Sequence, residues 1–185
     1  MSSFSKLFAE LKTQYFVVNI FVETCYMTSR KIENSLYWTA AILGLVLDQA
    51  SKYLVVQHLK GLRSFPIVEG VFHFTYATNT GAAFSLFSGQ IDWLKWVSMI
   101  VSLGLVAFGI FSKNLNRWEQ VGYGCILAGA AGNGIDRFVA GYVVDFIDLR
   151  IIRFAIFNIA DVSINIGLAC LVIAVLFVTR PSNKL

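Results

Sequence analysis

Long apolar stretches alternate with short polar ones along most of the chain, and four of the apolar stretches are long enough to cross a bilayer. A helix needs ~20 predominantly apolar residues to span roughly 30 Å of hydrocarbon. The windows that meet this length are 36–56, 93–111, 120–139 and 157–178. The pattern therefore predicts a membrane all-α fold with four transmembrane helices and both termini on one side of the membrane.

Two shorter segments show the alternation of a strand instead. Residues 65–76 alternate apolar and polar side chains with glycines nearby, and residues 142–149 form a second such piece before the fourth span. Non-helical backbone is tolerated at membrane depth only where protein covers it or water reaches it. We therefore expect a small β element, a short extracytoplasmic sheet lying over the outer ends of the helices.

Composition supports an integral membrane protein. Of the 185 residues, 57% are hydrophobic and 14% are charged, whereas a soluble domain carries about 25% charged residues. The net charge of +4 is scattered and forms no basic stripe, so nucleic acid is not expected as a partner. Cationic residues flank one end of the predicted spans and favour that face, with both termini, as cytoplasmic; they are Arg30, Lys31, Lys113, Arg117, Arg180 and Lys184.

The chain is expected to divide into an N-terminal extension and one membrane domain. Residues 1–26 contain only a short apolar run, 15–22, which is interrupted by Asn19 and followed by no convincing signal-peptide cleavage site. We assign no catalytic role to this extension. Residues 27–185 are interpreted as a single four-helix integral membrane domain.

Cysteine and histidine usage gives no support for a metal or cofactor. Cys25, Cys125 and Cys170 are odd in number, far apart and mostly within apolar runs, which is typical of small core residues. His58 and His73 have no Cys, Asp or Glu at ligand spacing. No metal and no cofactor are predicted.

Five acids stand out in the second half of the chain. An acidic side chain in a lipid-spanning segment costs a few kcal/mol on insertion scales, so it needs a partner, a water-filled cavity or a chemical task. Two of the five lie within or beside apolar sequence and suggest a paired-carboxylate site, Asp145 and Asp161. The other three are Glu119, Asp136 and Asp148.

Asp161 belongs to a polar stripe on the fourth span. Asn158, Asp161 and Asn165 are spaced i, i+3 and i+7, which places them on one helical face among apolar residues. We expect this face to point into the bundle, with Asp161 about one turn, roughly 6 Å, below the outer end. The alternative is a polar residue that only stabilises a helix interface by hydrogen bonding.

Asp145 lies in the second strand-like segment. Strand alternation puts Asp145 and Asp148 on opposite faces, so the two should not act together. Apolar neighbours would raise the pKa of Asp145 by desolvation and suit it to holding a proton near neutral pH. The alternative is an ordinary acid paired with Arg150 or Arg153.

Polar residues at the outer end of the third span are candidates for a supporting role. Asn133, Asp136 and Arg137 lie within about one helical turn. We expect Asp136 and Arg137 to tether the loop that carries Asp145, and Asn133 to donate a hydrogen bond to a carboxylate. A purely structural ion pair between Asp136 and Arg137 is the alternative.

Two further segments carry candidate residues. Asp48 and Lys52 are spaced i and i+4 in the favourable acid-first order, either as a structural pair or as a clamp on the substrate or the outer loop. Asn79 offers both a donor and an acceptor to an extended peptide, and Gly81 permits close backbone approach.

Taken together, five ordered segments resemble the motif blocks of the lipoprotein signal peptidases, also called signal peptidase II. The resemblance covers residues 36–178. The segments read DQASK, NTGAAF, GNGIDR, VVDF and FNIAD, and they occupy 48–52, 79–84, 132–137, 143–146 and 157–161.

The resemblance implies an aspartic endopeptidase of the bacterial inner membrane. Such an enzyme removes the signal peptide from prolipoproteins, cleaving just before a diacylglyceryl-modified cysteine near the outer, periplasmic leaflet. The implied partners are prolipoproteins and membrane lipid, with no cofactor, and we expect a monomer. Asp145 and Asp161 match the catalytic pair; Asp48, Lys52, Asn79, Asn133, Arg137, Asn158 and Ala160 match supporting positions, and Gly81 and Asp136 join them from the segments above.

Two other classes of membrane protein are alternatives. A small proton-coupled transporter would place its acids in the middle of spans and would show repeat symmetry between halves. Here the acids cluster toward one membrane face and no repeat is visible. A structural membrane subunit without catalysis would be eliminated by cleavage of a lipidated peptide.

Overall fold

The helices and strands form where the hydrophobic pattern predicts them. The computed structural model describes residues 34–62, 64–81, 89–152 and 154–178, so the predicted extension at 1–26 lies outside the described residues. The helices are α1 (Ser35–Leu59), α2 (Ile91–Phe111), α3 (Arg117–Val139) and α4 (Ile159–Ile173), which continues into a π-helical turn, Ala174–Val178. The strands are β1 (Phe65–Val68), β2 (Phe72–Asn79) and β3 (Val143–Leu149), and a 3₁₀ turn follows β3 at Arg150–Ile152.

Three helices of the described part of the chain are long and apolar enough to cross a membrane. They are α1, α2, and α4 together with most of its π-helical turn. The outward surfaces carry large apolar side chains at high exposure, including Ile42, Leu103 and Val172. Helix α3 does not meet the same criterion, because its second half contains Asn133, Asp136 and Arg137. The third predicted span, 120–139, is therefore not confirmed by composition.

Helix α3 is the centre of the helical layer and packs against α1, α2 and α4. Small residues make this packing close, as expected for helices that associate without a hydrophobic driving force. Gly124 lies against the backbone carbonyl of Tyr37, and Gly129 lies against that of Ala160, so neither position has room for a side chain. The short distances bring the polar residues of α3 within reach of both α1 and α4.

The strands form one antiparallel sheet with the order β1-β2-β3. The predicted β element is thus present. The β2 and β3 register pairs Ala77 with Asp145 and Asn79 with Val143, which sets the end of β2 beside the acid of β3. An isolated bridge between Ile147 and Phe157 connects β3 to the segment that leads into α4. The sheet therefore brings β3 to the start of α4.

Glu119 has a local structural role at the start of α3. Its carboxylate accepts a hydrogen bond from the backbone N–H of Asn116, whose side chain in turn accepts from the N–H of Glu119. This reciprocal arrangement is a capping box and satisfies backbone groups that the first helical turn leaves unpaired. Glu119 is accordingly separate from the acids of the site described below.

Candidate active site

Asp145 is buried in the middle of β3, with 3% of its surface exposed. Asn158 Nδ2 donates to its Oδ1 at 2.7 Å and Asn79 Nδ2 donates to its Oδ2 at 3.1 Å. Burial, reinforced by the negative charge of Asp161, raises the pKa of Asp145 from its ordinary value to about 7. Arg150, one alternative partner considered from the sequence, instead binds Asp148 at 3.0 Å. Asp145 is thus suited to holding a proton near neutral pH.

Asp161 lies in the first turn of α4 and is half-buried. Its Oδ1 accepts from Asn133 Nδ2 at 2.9 Å, and its Oδ2 accepts from the backbone N–H of Asn158 at 3.2 Å. The positive end of the helix dipole also favours a negative charge at this position. Both oxygens of the Asp161 carboxylate therefore accept hydrogen bonds at the start of α4.

Asn158 connects the two carboxylates. It is fully buried and caps α4, and its side-chain oxygen accepts from the backbone N–H of Asp161 at 3.0 Å. Its amide nitrogen donates to Asp145, while its backbone N–H donates to Asp161. Asn158 therefore donates a hydrogen bond to each acid. It holds the carboxylate of β3 and the carboxylate of α4 on either side of itself.

Asn133 reaches Asp161 from α3, and its orientation is set by Lys52 and Asn158. The Lys52 ammonium donates to Asn133 Oδ1 at 2.9 Å, and Asn158 Nδ2 donates to the same oxygen at 3.0 Å. Because an ammonium group can only donate, the Asn133 oxygen must face Lys52 and the Asn133 NH₂ must face Asp161. Lys52 thus influences Asp161 through an intervening amide rather than by direct contact. The predicted donation from Asn133 to a carboxylate agrees with this geometry.

A buried ion cluster supports the carboxylate pair. Lys52 Nζ lies 2.9 Å from Asp48 Oδ2 and 2.9 Å from Asp136 Oδ2, and all three side chains are at least nine-tenths buried. Asp48 accepts from the backbone N–H of Ala160 at 2.9 Å, and Asp136 accepts from that of Val144 at 3.1 Å. The cluster therefore ties α1 and α3 to the backbone next to Asp161 and next to Asp145.

The partner of Asp136 differs from the alternative considered from the sequence. Asp136 pairs with Lys52 of α1, whereas the neighbouring Arg137 points elsewhere. Residues 136 and 137 are adjacent on a helix, so their side chains diverge by roughly 100° and do not face each other. The tether from Asp136 to the strand carrying Asp145 runs through the backbone N–H of Val144.

Arg137 holds the turn that follows β2. Its Nη2 donates to the carbonyl oxygen of Gly81 at 3.1 Å, and its Nη1 donates to Ser98 Oγ of α2 at 3.1 Å. The N–H of Gly81 donates in turn to Asn79 Oδ1 at 2.8 Å, which orients the Asn79 amide toward Asp145. Arg137 and Gly81 therefore position Asn79.

Gln49 and Ser98 join the site although sequence reasoning did not single them out. Gln49 Nε2 lies 3.1 Å from Asp48 Oδ2 and 3.1 Å from Asp136 Oδ1, so its amide stands between the two acids of the ion cluster. Gln49 lies inside the DQASK segment. That segment indicated that the region belongs to the site, but it did not indicate what Gln49 contacts. Ser98 lies in an apolar helix with no nearby motif, and only the packing of α2 on α3 reveals it.

Asp148 belongs to a different network. It accepts from Thr75 Oγ1 at 2.7 Å and from Arg150 Nε at 3.0 Å. These two hydrogen bonds and the charge of Arg150 outweigh the effect of burial and lower the pKa of Asp148. Thr75 and Arg150 bind Asp148, whereas Asn79 and Asn158 bind Asp145, as expected for opposite faces of a strand.

A cavity of about 960 Å³ opens beside the two carboxylates. Asp145 and Asp161 both line it, together with apolar residues of α4 and of the segment before it. We expected Asn165 to pack inside the bundle. It is instead exposed on the cavity wall, because the cavity runs along this face of α4. Within residues 34–62, 64–81, 89–152 and 154–178, no three His, Cys, Asp or Glu side chains are grouped as metal ligands.

The fold and the site define a class: a helical membrane protein with two interacting carboxylates at the wall of a large cavity. The sequence profile of the family described as Signal peptidase (SPase) II matches residues 40–177. The chain therefore belongs to the signal peptidase II family and is an integral membrane protease.

Relatives and solved structures agree with this assignment. A lipoprotein signal peptidase of Microcystis aeruginosa is 60% identical over 143 residues, which cover 77% of this chain and 92% of the relative. One from Nostoc sp. strain PCC 7120 is 55% identical over 144 residues, covering 78% of this chain and 91% of the relative. A solved structure of a bacterial membrane enzyme superposes with a TM-score of 0.71 at 37% identity, covering 80% of this chain and 91% of that one.

Proposed function

We propose that this protein is an intramembrane aspartic endopeptidase that removes the signal peptide from prolipoproteins. Its substrates would carry a diacylglyceryl group on a cysteine, and cleavage would occur just before that cysteine. The observation that carries the proposal is the meeting of Asp145 and Asp161 at Asn158 beside the cavity. Family membership and relatives called lipoprotein signal peptidases support the substrate class.

In the proposed mechanism, the two acids share one proton, because two close carboxylates cannot both ionise cheaply. Ionised Asp161 takes a proton from a water molecule as the water oxygen attacks the scissile carbonyl carbon, and protonated Asp145 gives its proton to the carbonyl oxygen. When the carbon–nitrogen bond breaks, the leaving amine takes the proton held by Asp161, and a hydroxyl of the tetrahedral intermediate returns a proton to Asp145 as the product carboxyl group forms. The raised pKa of Asp145, and the two donors that face the Asp161 carboxylate at the helix N-terminus, support this assignment of roles.

The supporting residues act on the pair in three ways. Asn79, Asn133 and Asn158 donate hydrogen bonds to the carboxylates. Arg137 and Gly81 position Asn79. The cluster of Lys52, Asp48 and Asp136 holds the backbone at Ala160 and Val144, next to the two acids.

The proposed topology has four spans, and α3 is the third of them in chain order. Helix α3 packs on the three apolar helices and turns its polar residues toward them, so its lower hydropathy does not require contact with water. Four spans would put both termini on one side, which the cationic flanks favour as the cytoplasm, with the carboxylate pair near the outer leaflet of the bacterial inner membrane. We further propose a monomer in which residues 27–185 form one peptidase domain and residues 1–26 have no catalytic role.

The test is cleavage of a synthetic prolipoprotein peptide by the purified full-length protein in lipid. The diacylglyceryl-modified peptide is expected to be cut just before the modified cysteine, and the same peptide without the lipid is the matched control. Mass spectrometry of the products identifies the bond. An intact lipidated peptide, or cleavage elsewhere, would reject the proposed activity.

The rate should fall as pH rises through the pKa of Asp145. Since Asp145 must be protonated to donate to the carbonyl oxygen, and its pKa is about 7, kcat/KM should fall about tenfold per pH unit above that value. Measurement of kcat/KM from about pH 5 to about pH 9 tests this. Asp92→Asn, which removes an exposed acid paired with Lys95, should leave the alkaline limb unchanged. A rate that stays constant above neutrality would contradict the role of Asp145.

A further inference from the structure

Asn165 presents an unused hydrogen-bond acceptor in an apolar part of the cavity wall. It lies one helical turn after Asp161, is exposed, and lines the cavity with Val162 and Ile166. Its Nδ2 donates to the backbone carbonyl oxygen of Asp161 at 2.9 Å. This contact fixes the orientation of the amide, since its oxygen cannot face a carbonyl. Within the described residues, Asn165 Oδ1 has no hydrogen-bond donor.

The position of Asn165 matches the place where a substrate needs such an acceptor. A signal peptide would enter the membrane as a helix, and the segment around its scissile bond must unwind to reach the two carboxylates. Unwinding frees backbone N–H groups that have no partner in hydrocarbon, which is costly. An amide oxygen in the cavity wall can replace the lost helical acceptor.

The depth of Asn165 indicates which substrate residue it would meet. One turn of helix places it roughly 5 to 6 Å deeper than Asp161. The residues before the scissile bond also run deeper into the membrane, and an extended chain advances about 3.3 Å per residue. The matching N–H is therefore about two residues before the scissile bond.

We propose that Asn165 is a peptide-binding residue of this protease, whose Oδ1 accepts a hydrogen bond from the unwound backbone of the signal peptide about two residues before the scissile bond. The inference rests on the proposed function, because it assumes a peptide bound at the carboxylate pair. It assigns a substrate contact to a residue outside the carboxylate pair and its supporting network.

A double-mutant cycle between the enzyme and the substrate backbone tests the contact. The enzyme variants are Asn165→Leu and the control Leu168→Ala, which trims an exposed side chain of the same helix away from the cavity. The substrates are lipidated peptides in which one backbone N–H, at each of the three positions before the scissile bond in turn, is replaced by an ester oxygen.

We expect the wild-type protein to lose about tenfold in kcat/KM for one of the ester substrates, the loss of one hydrogen bond. Asn165→Leu should raise KM about tenfold for the all-amide peptide and show no further loss with that ester, since the contact is already absent. Leu168→Ala should behave like the wild type.

The outcomes separate this inference from the proposed function. If Asn165→Leu matches the wild type, or loses the same factor on every substrate with no coupling to any ester, the substrate contact is rejected while the peptidase activity stands. If the wild-type protein leaves the all-amide lipidated peptide intact, the proposed function fails and the contact fails with it.

Discussion

Asp161→Asn and Asp145→Asn are each expected to leave a folded protein that no longer processes a lipidated prolipoprotein. In the proposed mechanism, Asp161 must accept a proton from water and Asp145 must donate one, and an amide can do neither. Loss of a general acid or base alone typically costs ~10² to 10⁴ in rate. Because each acid serves both halves of the reaction, we expect kcat/KM to fall by ~10³ or more for either variant.

A gel-shift assay of prolipoprotein conversion measures the loss, and thermal unfolding in detergent tests the fold. The amide has nearly the shape of the carboxylate, but Asn133 and Asn158 both donate to Asp161, so the new NH₂ meets a donor. We therefore expect a moderate stability cost of about 1–3 kcal/mol for Asp161→Asn. Asp148→Asn, on the other face of β3, is the control and should process normally. Normal prolipoprotein conversion by Asp145→Asn or by Asp161→Asn would show that these two acids are not the catalytic pair.

Lys52→Met is expected to give the largest loss of stability among single substitutions in the site. The Lys52 ammonium lies 2.9 Å from both Asp48 and Asp136, and its removal leaves two buried carboxylates without a positive partner. Breaking a buried ion pair by removing one member typically costs 3–5 kcal/mol. Activity should fall as well, since the Asn133 amide then keeps only one of the two donors, Lys52 and Asn158, that hold its NH₂ toward Asp161.

The matched control is Lys95→Met. Lys95 also pairs with an acid on its own helix, but that acid, Asp92, is 82% exposed. An exposed pair contributes about 0–1 kcal/mol, so this variant should unfold near the wild-type temperature. Thermal unfolding of both variants in the same detergent gives the comparison. Equal unfolding temperatures for Lys52→Met and Lys95→Met would show that the buried cluster does not hold the helices together.

The replacement of both acids supplies a second check on the same cluster. Adding Asp48→Asn and Asp136→Asn to Lys52→Met removes the uncompensated charges and should recover part of the lost stability. Activity should not recover with it, because Asn133 still lacks the Lys52 donor and its amide is held by Asn158 alone. A triple variant less stable than Lys52→Met would contradict the electrostatic explanation.

Sequence periodicity was sufficient for the elements themselves. Residues 36–56 and 93–111 were predicted as helices, and α1 and α2 cover them; the alternation in 142–149 predicted β3. These signals are local, because the spacing of apolar side chains follows the geometry of one helix or one strand. The high cost of an acid in apolar sequence likewise identified Asp145 and Asp161 without any contact information.

The partners of those acids could not be predicted in the same way. Asp136 is adjacent to Arg137 in sequence but pairs with Lys52, which is 84 positions away (136 − 52 = 84). Asn165 shares a helical face with Asn158, yet one is exposed on the cavity wall and the other is fully buried. Periodicity determines which face a side chain occupies, but not which other element covers that face.

The sequence by itself therefore determined the apolar helices, the small sheet, and the two acids whose burial demands an explanation. Only the tertiary structure decided that Asn158 bonds both acids, that Lys52 orients Asn133, and that a cavity leaves Asn165 exposed. The physical reason is that local structure depends on neighbouring residues in the chain. Hydrogen bonds and ion pairs between elements depend instead on how closely glycines such as Gly124 and Gly129 let the helices approach.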